Sequence, residues 1–175
     1  MADDEVSILR KTGCADIVIE HCRAVRDIAE IIANRLIERG YSVDLDLVLR
    51  GAMLHDIGRC RTNGIKHAVA GAQIARELGL DKRIIRIIER HIGGGLDRED
   101  ARALRLPEGS YMPETIEEKI VCHADNLIAT TERQSVEREI EALRRKELTK
   151  AAERVRALHE ELSSMCRMDI DDLIK

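Results

Sequence analysis

The chain has 175 residues, a length that suits one compact domain with room for an appendage. Its residues are 44% hydrophobic and 35% charged, and no apolar run approaches the roughly 20 residues of a membrane span, which argues against an integral membrane protein. The net charge of −4 argues against general nucleic-acid binding. Aromatic residues make up only 1% of the chain, which also argues against recognition of single-stranded nucleic acid by base stacking.

Every long periodic segment has helical spacing, and no alternating strand pattern of useful length is present. Asp16 is a candidate N-cap, and Asp81 is placed to cap a later helix. The predicted helices cover residues 5–11, 16–39, 44–58, 67–78, 81–91, 114–131 and 135–166, the last with a possible break near Thr149. The sequence therefore predicts an all-α fold.

Two segments stand apart from this regular pattern. Gly93-Gly94-Gly95 opens an irregular stretch that extends to Pro113. Such stretches are uncommon in compact domains and often functional, so we expect residues 96–112 to form a mobile flap at a pocket mouth, unless the glycines simply end a helix. Residues 135–175 are highly charged with a narrow apolar stripe, and we expect them to pack on the domain of residues 1–134 or on a second subunit.

His55 and Asp56 stand side by side at the end of an apolar helical pattern. Burying an ionisable group that is neither paired nor hydrogen-bonded costs on the order of several kcal/mol. A metal ion removes that cost, because it binds a neutral imidazole and an ionised carboxylate and supplies the missing charge. The pair therefore predicts a metal site to which other parts of the chain contribute.

Four further residues of ligand type accompany this pair. His21 and His91 lie on apolar helical faces, Asp125 faces inward on a predicted helix, and His67 opens another helix. A single buried histidine is more often a satisfied core residue than a ligand. Several buried His and Asp side chains that converge on one place would each need a separate hydrogen-bond partner, so the set as a whole favours metal binding.

By type, order and helical context these residues resemble the HD superfamily of metal-dependent phosphohydrolases, whose signature is H…HD…D. The string His55-Asp-Ile-Gly-Arg59 resembles the HDIG submotif of that family, and the two further histidines resemble its two-metal branch, H…HD…H…H…D. The resemblance covers residues 16–131. It implies an HD-domain helical bundle over residues 1–134, followed by a long charged helical extension over residues 135–175.

The resemblance also implies which residues hold metal: His21, His55, Asp56, His67, His91 and Asp125. The first metal would take His21, His55, Asp56 and Asp125. Asp56 would bridge to a second metal held by His67 and His91. Imidazole and carboxylate ligands suit Fe, Mn, Co, Ni or Zn, and Mg is compatible, so the expected cofactor is one or two divalent ions.

Arg59 and Lys66 flank the expected ligands and are the cations predicted to bind a substrate phosphate and, with Asp56, to carry catalysis. The family often has lysine where this chain has Arg59. The charge is kept, but the planar guanidinium binds phosphate in a different geometry. For Lys66, an ordinary role as a solvated surface charge is an equal alternative.

The sequence therefore predicts a metal-dependent phosphohydrolase that cleaves an ester or anhydride of a nucleotide or other small phosphorylated molecule with metal-activated water. Two alternatives stay open. One is a mixed-valent di-iron oxygenase of the HD type, which shares this ligand set. The other is a non-catalytic nucleotide-binding HD module, against which the complete ligand set counts. A homodimer is compatible with the extension.

The remaining thiols and imidazoles have less specific interpretations. The five cysteines are scattered without Cys-x-x-Cys spacing: Cys14, Cys22, Cys60, Cys122 and Cys166. We interpret them as reduced thiols that fill the core, which together with an acidic beginning that lacks a signal-peptide segment predicts a cytoplasmic location. His123 is expected near the site or at the core edge, and His159 on the protein surface.

Overall fold

The structure is a computed structural model that describes residues 2–175, with side chains from residue 4 onward. Within these residues it confirms the all-α prediction, with one 3₁₀ helix (Ile57–Cys60) and one short hairpin added. The α-helices are α1 (Ala2–Lys11), α2 (Asp16–Glu38), α3 (Leu45–Leu54), α4 (His67–Glu77), α5 (Lys82–Arg90), α6 (Arg98–Ala103), α7 (Ile116–Asn126), α8 (Val136–Arg145), α9 (Thr149–Cys166) and α10 (Ile170–Leu173). None of the described helices combines the length and apolarity needed to cross a bilayer.

The longest helix, α2, is the central element of the bundle. Helices α3 and α7 pack along it, and α5 packs against both α3 and α7. The inward stripe of α2 is apolar: Ile19, Cys22, Val25, Ile28, Ala29, Ile32, Ala33 and Leu36. Because phenylalanine and tryptophan are absent from the sequence, this core is almost entirely aliphatic. The packing brings the helices that carry the predicted ligands together around α2.

Two glycines hold the 3₁₀ helix against α4. A Cβ atom on Gly58 would overlap the carbonyl oxygen of His67 and would lie 2.5 Å from the backbone nitrogen of Gly71. Glycine is therefore required at position 58 for the two backbones to approach this closely. The contact fixes the first turn of α4, and with it His67, beside the loop that carries Asp56.

Two predicted helix boundaries near the site are wrong. Asp16 is the first residue of α2 and not its N-cap, which is Ala15 and makes no side-chain capping bond. The third helix, predicted to reach Gly58, ends at Leu54, so that His55 is its C-cap residue. This early end lets the chain turn into the 3₁₀ helix directly after the His55-Asp56 pair.

A hairpin of β1 (Ile128–Ala129) and β2 (Glu132–Arg133) replaces the predicted end of the sixth helix. That helix, expected to reach Thr131, ends at Asn126, and Ile128 then pairs with Arg133 in antiparallel register. Thr130 at the turn has a left-handed backbone, with φ of 61°. Since the segment is rich in β-branched residues, extended backbone competes successfully with helix here.

The segment from residue 93 to residue 113 is more regular than the sequence predicts. It contains α6, which begins with a capping box in which Asp97 and Asp100 bond each other's backbone nitrogens. Leu96 and Tyr111 pair at its two ends through an antiparallel bridge. These two side chains are buried in a small cluster of their own. The sequence does not predict this short helix because it is highly charged and buries only Ala101, so it has no apolar stripe.

The charged extension forms two main helices that pack on the rest of the chain. The break predicted near Thr149 is present, and Glu147 between α8 and α9 has a left-handed backbone with φ of 61°. Helix α9 packs against α7 and α2. A Cβ on Gly94 would lie only 2.5 Å from Cβ of Arg154, so α9 also lies directly against the glycine-rich turn after α5.

Candidate metal centre and its cavity

The six predicted ligands converge on one place from five parts of the chain. His21 lies on α2, Asp125 on α7, and His67 is the first residue of α4. His55 and His91 are the C-cap residues of α3 and α5, and Asp56 follows directly after His55. All except His21 and Asp125 are buried.

Asp56 lies in the middle of this group. Its Oδ1 atom is 2.9 Å from Nε2 of His67 and 3.5 Å from Nε2 of His91. Its Oδ2 atom is 3.7 Å from Nε2 of His21 and 3.8 Å from Nε2 of His55. One carboxylate oxygen thus faces each pair of imidazoles, an arrangement suited to a ligand shared by two ions.

Asp125 completes the first of these two groups. Its Oδ1 atom is 3.0 Å from Nε2 of His21 and 3.5 Å from Nε2 of His55. Asp125 therefore sits with the pair on Oδ2 of Asp56, away from His67. Asp56 therefore belongs both to a group with His21 and His55 and to a group with His67 and His91, and the two groups adjoin, since His91 also lies within 4.8 Å of His55 and Asp125.

Backbone carbonyls fix the orientation of all four imidazoles. Each Nδ1 atom lies within hydrogen-bond distance of one carbonyl oxygen: His21 to Thr130 at 2.6 Å, His55 to Ala52 at 2.7 Å, His67 to Gly64 at 2.5 Å and His91 to Ile88 at 2.7 Å. A carbonyl can only accept, so Nδ1 carries the proton in each ring. In the neutral form of each ring the lone pair of Nε2 is then directed into the site, as metal ligation requires.

This arrangement fits a cation. With Nδ1 protonated, the contact of 2.9 Å between Nε2 of His67 and Nε2 of His91 joins two acceptors. In addition, Nε2 of His55 and Oδ1 of Asp56 are buried and have no hydrogen-bond partner among the described residues. Buried acceptors facing one another are costly unless a proton or metal lies between them. The residues present therefore match the divalent ions expected from the sequence.

The charges at the site also suit a metal. Burial alone would raise the pKa of Asp56, but the neighbouring His55, His67 and His91 together outweigh it and hold the pKa far below its ordinary value. Burial likewise opposes ionisation of Asp125, but its contacts with His21 and His55 together outweigh it and lower the pKa. Burial lowers the pKa of His91. Ionised carboxylates and neutral imidazoles are the forms that bind metal.

His55 is the exception, and it leads to a prediction. Burial would lower the pKa of His55, but the charge of Asp56 together with the neighbouring Cys22 and Asp125 outweighs it and raises the pKa well above its ordinary value. At neutral pH a metal must therefore displace a proton from His55. We expect about one proton released per metal-loaded site, with metal affinity rising as pH rises until His55 is deprotonated. Calorimetry in buffers of different ionisation enthalpy measures this release, and its absence at pH 7 would contradict the assigned protonation.

A cavity of about 900 Å³ opens beside the centre. Four of the six ligands reach its wall: His21, Asp56, His67 and Asp125. Arg59 also lines it, and its Nε atom donates to Oδ2 of Asp56 at 2.5 Å. Lys66 is exposed at the N-terminus of α4 and is not among the described residues that line the cavity. The structure therefore places one of the two predicted phosphate-binding cations beside the predicted metal ligands and the other outside the cavity lining.

The predicted flap lies at this cavity. Leu96, Asp100 and Leu104 line it, so the segment from residue 96 to residue 112 is positioned as expected. It is tied to α9 by Arg154, whose guanidinium donates to Asp97 and Asp100 at 2.5 Å each. The mobility of the segment stays a prediction.

Sequence reasoning missed one wall of the cavity. The junction of α8 and α9 contributes Leu143, Lys146, Leu148 and Lys150 to the lining. These residues lie about twenty positions beyond Asp125 and belong to no metal-binding pattern, so only the three-dimensional fold shows that they reach the site. The only sequence feature that could have indicated a role at the cavity is the charge of these residues, and charged residues are more simply interpreted as solvent-exposed.

The predicted location of His159 is wrong. The side chain is buried, and its Nδ1 atom is 3.0 Å from Nε2 of His123 on α7. Burial lowers the pKa of His123 to about 3, so this ring is neutral at physiological pH. The two rings join α9 to α7 through the core. The cysteines are free, as predicted, and burial raises the pKa of the Cys14 thiol to about 11.

Comparison with known proteins agrees with this geometry. The family model described as HD domain matches residues 18–130. The chain is similar to a tRNA (cytidine(56)-2'-O)-methyltransferase of Thermoplasma volcanium, with 44% identity over 168 residues, 96% of this chain and 48% of that protein. It is also 52% identical over 132 residues to an uncharacterised protein of Methanocaldococcus jannaschii, covering 75% of this chain and 78% of the relative. The chain thus spans about half the length of the methyltransferase it matches.

A solved structure shows the same fold. The crystal structure of the HD domain of the Listeria monocytogenes phosphodiesterase PgpH in complex with cyclic-di-AMP has a TM-score of 0.58 and 18% sequence identity. The match covers 91% of this chain and 89% of that domain. Since the family model spans well over half of the sequence, this chain belongs to the HD-domain family.

Proposed function

We propose that this chain is a metal-dependent phosphohydrolase that cleaves an ester or anhydride of a nucleotide. The observation that carries the proposal is the shared position of Asp56, between two sets of ligand atoms and at the wall of a cavity. Divalent metals held there would supply a Lewis acid and a water activated at neutral pH. The first set would be His21, His55, Asp56 and Asp125, and the second Asp56, His67 and His91.

The side chains around the proposed ions have separate tasks. The four backbone carbonyls keep the imidazoles oriented and in one tautomer, so the site is organised before substrate enters. Arg59 donates one guanidinium N–H to Asp56, and its other N–H groups can donate to a phosphate oxygen. Binding of phosphate by Arg59 would hold the scissile group beside Asp56, and phosphoryl transfer depends chiefly on such positioning and charge neutralisation.

The cavity lining favours an organic phosphate over an inorganic one. Three apolar side chains with more than a third of their surface exposed lie around it: Ile17 at 55%, Leu104 at 37% and Leu148 at 48%. They come from α2, the segment after α6 and the α8–α9 junction. Apolar walls with a few charged groups are typical of small-molecule sites. A nucleotide combines an anionic phosphate with a base and sugar that such walls accept.

The names of the relatives bear on the type of bond. The Thermoplasma volcanium relative is named for modification of tRNA, and the Listeria monocytogenes domain is a phosphodiesterase solved with cyclic-di-AMP. Together they favour a phosphodiester within a ribonucleotide as the bond that this chain cleaves. Methyl transfer is not proposed for it, since the chain spans only about half of the methyltransferase relative.

A panel experiment tests the proposal. Purified protein is stripped of metal, reloaded separately with Mn, Co, Ni, Fe or Mg, and assayed with bis(p-nitrophenyl) phosphate, dinucleotides and mononucleotides. We expect metal-dependent hydrolysis of phosphodiesters. Nucleotide binding without product formation under all metals would favour the non-catalytic module. Oxygen consumption by the iron-loaded protein, with no phosphate ester cleaved, would favour the oxygenase.

The unequal positions of Arg59 and Lys66 give a second prediction. Arg59→Ala is expected to lower kcat/KM for a phosphodiester about ten- to a hundredfold without loss of metal, because a charge-assisted contact of about 1.5–3 kcal/mol is removed. Lys66→Ala should change it less than about twofold and serves as the matched control. Equal effects of the two substitutions, measured by steady-state kinetics and metal analysis, would show that Arg59 has no special role.

A further inference from the structure

The α8–α9 junction brings a second cationic position to the cavity. This wall, formed by residues 143–154, contributes Leu143, Lys146, Glu147, Leu148, Thr149, Lys150, Ala151 and Arg154 to the lining. It lies outside residues 18–130, which the family model covers. The wall is held in place, since α9 packs on α7 and Arg154 lies directly against Gly94.

The cations of this wall differ in what neutralises them. Arg154 is engaged by Asp97 and Asp100. Lys150 bonds the same two carboxylates, with its Nζ atom 2.6 Å from Asp97 and 3.2 Å from Asp100. Lys146 is exposed and has no carboxylate partner among the side chains of residues 4–175, which are those that the structure describes. Among the cations of this wall that line the cavity, Lys146 is therefore the one available to a ligand.

We propose that Lys146 binds a second phosphate of the substrate, apart from the phosphate that is cleaved. The inference rests on the proposed function, which places the scissile phosphate beside Asp56 and Arg59. The cavity of about 900 Å³ is near the upper end of the roughly 300–1,000 Å³ of small-molecule sites, so it has room for more than one nucleotide unit. Leu143 and Leu148 flank Lys146 in the sequence and offer apolar contact to the base or sugar between the two phosphates.

The substrate class that follows is a short nucleotide phosphodiester with an additional phosphate, such as a dinucleotide carrying a terminal 5′-phosphate. The additional phosphate of such a substrate would bind Lys146 at the α8–α9 wall. A dinucleotide that lacks this phosphate would leave Lys146 unpaired. Lys146 is thus assigned as a specificity residue that contacts the substrate away from the bond that breaks.

Equilibrium binding separates this inference from catalysis. Adenylyl-adenosine with and without a 5′-phosphate is titrated by calorimetry into wild-type protein in EDTA. We expect the phosphorylated form to bind about tenfold more tightly, the lower end for a charge-assisted contact. Lys146→Glu should abolish this preference, and Lys146→Arg should retain it. Lys11→Glu, at an exposed lysine on α1 outside the cavity lining, is the matched control and should also retain it.

The outcomes for the two proposals are distinguishable. A wild-type protein without preference, or a preference that survives Lys146→Glu, would overturn the role of Lys146 even if bis(p-nitrophenyl) phosphate is hydrolysed. Conversely, a preference that depends on Lys146 in a protein that hydrolyses no phosphate ester with any metal would support the binding role and overturn the proposed function. With active protein, Lys11→Glu, outside the cavity lining, should leave turnover of bis(p-nitrophenyl) phosphate unchanged.

Discussion

Asp56→Ala is expected to abolish metal binding and hydrolysis together while the helices remain. The carboxylate is the residue common to both sets of ligand atoms, with His67 and His91 nearest to one oxygen. Loss of a group that merely orients a metal ligand costs about 10- to 100-fold, so loss of the shared ligand should lower kcat/KM by more than about 100-fold. Metal analysis, hydrolysis of bis(p-nitrophenyl) phosphate and far-ultraviolet circular dichroism on one preparation measure all three properties.

The control for this variant is Asp27→Ala, which removes an exposed acid from α2 and should retain metal and activity. Full metal stoichiometry in Asp56→Ala would show that this carboxylate is not a ligand. Anomalous scattering from metal-loaded crystals of the wild type counts the ions. One peak, with His67 and His91 turned away from it, would replace the two-metal assignment by a one-metal site.

Gly58→Ala is expected to destabilise the protein strongly and to displace His67. The added methyl group would overlap the carbonyl oxygen of His67 and crowd the backbone of Gly71, where neither neighbour can move as a flexible side chain could. Overpacking against backbone costs about 1–3 kcal/mol and sometimes more, and we expect about 3 kcal/mol here. Urea unfolding measures the loss of stability, and metal analysis shows whether the ion assigned to His67 and His91 is lost.

Gly109→Ala is the matched control, because a Cβ at position 109 meets nothing within 4 Å. Its unfolding free energy should stay within about 0.5 kcal/mol of the wild type. If Gly58→Ala unfolds at the same urea concentration as Gly109→Ala, the close approach between the 3₁₀ helix and α4 does not hold the site together.

The sequence was sufficient to predict the helices that carry the ligands, because their signals are local. Apolar spacing defines α2 and α5, and a capping aspartate begins α5, as Asp81 shows by accepting from the backbone nitrogen of Arg83. The resemblance to the HD superfamily, which rests on residue type, order and helical context, placed His21 and Asp125 in one group, although they are 104 positions apart. Their convergence follows from the packing of α7 on α2, which the apolar stripes of both helices determine.

The features that the sequence did not predict depend on contacts between distant segments. The hairpin of β1 and β2 replaces the end of a helix whose composition permits either structure. The short helix α6 is held by Arg154, which lies about fifty residues later in the chain. Burial of His159 and the approach of Lys146 to the cavity both follow from the docking of α9, and a charged helix does not reveal which of its faces will be covered.

The carbonyl bonds of the four imidazoles bear on how such a site could be transplanted into a designed protein. In His55, His67 and His91 the Nδ1 atom bonds the carbonyl three residues earlier. A peptide of four residues therefore contains both the imidazole and the carbonyl that orients it. His21 lies within α2, where neighbouring carbonyls already accept helical bonds, and it depends on Thr130 in the hairpin turn. A design that copies only α2 and these three short peptides would therefore reproduce three correctly oriented histidines and leave the fourth free to rotate.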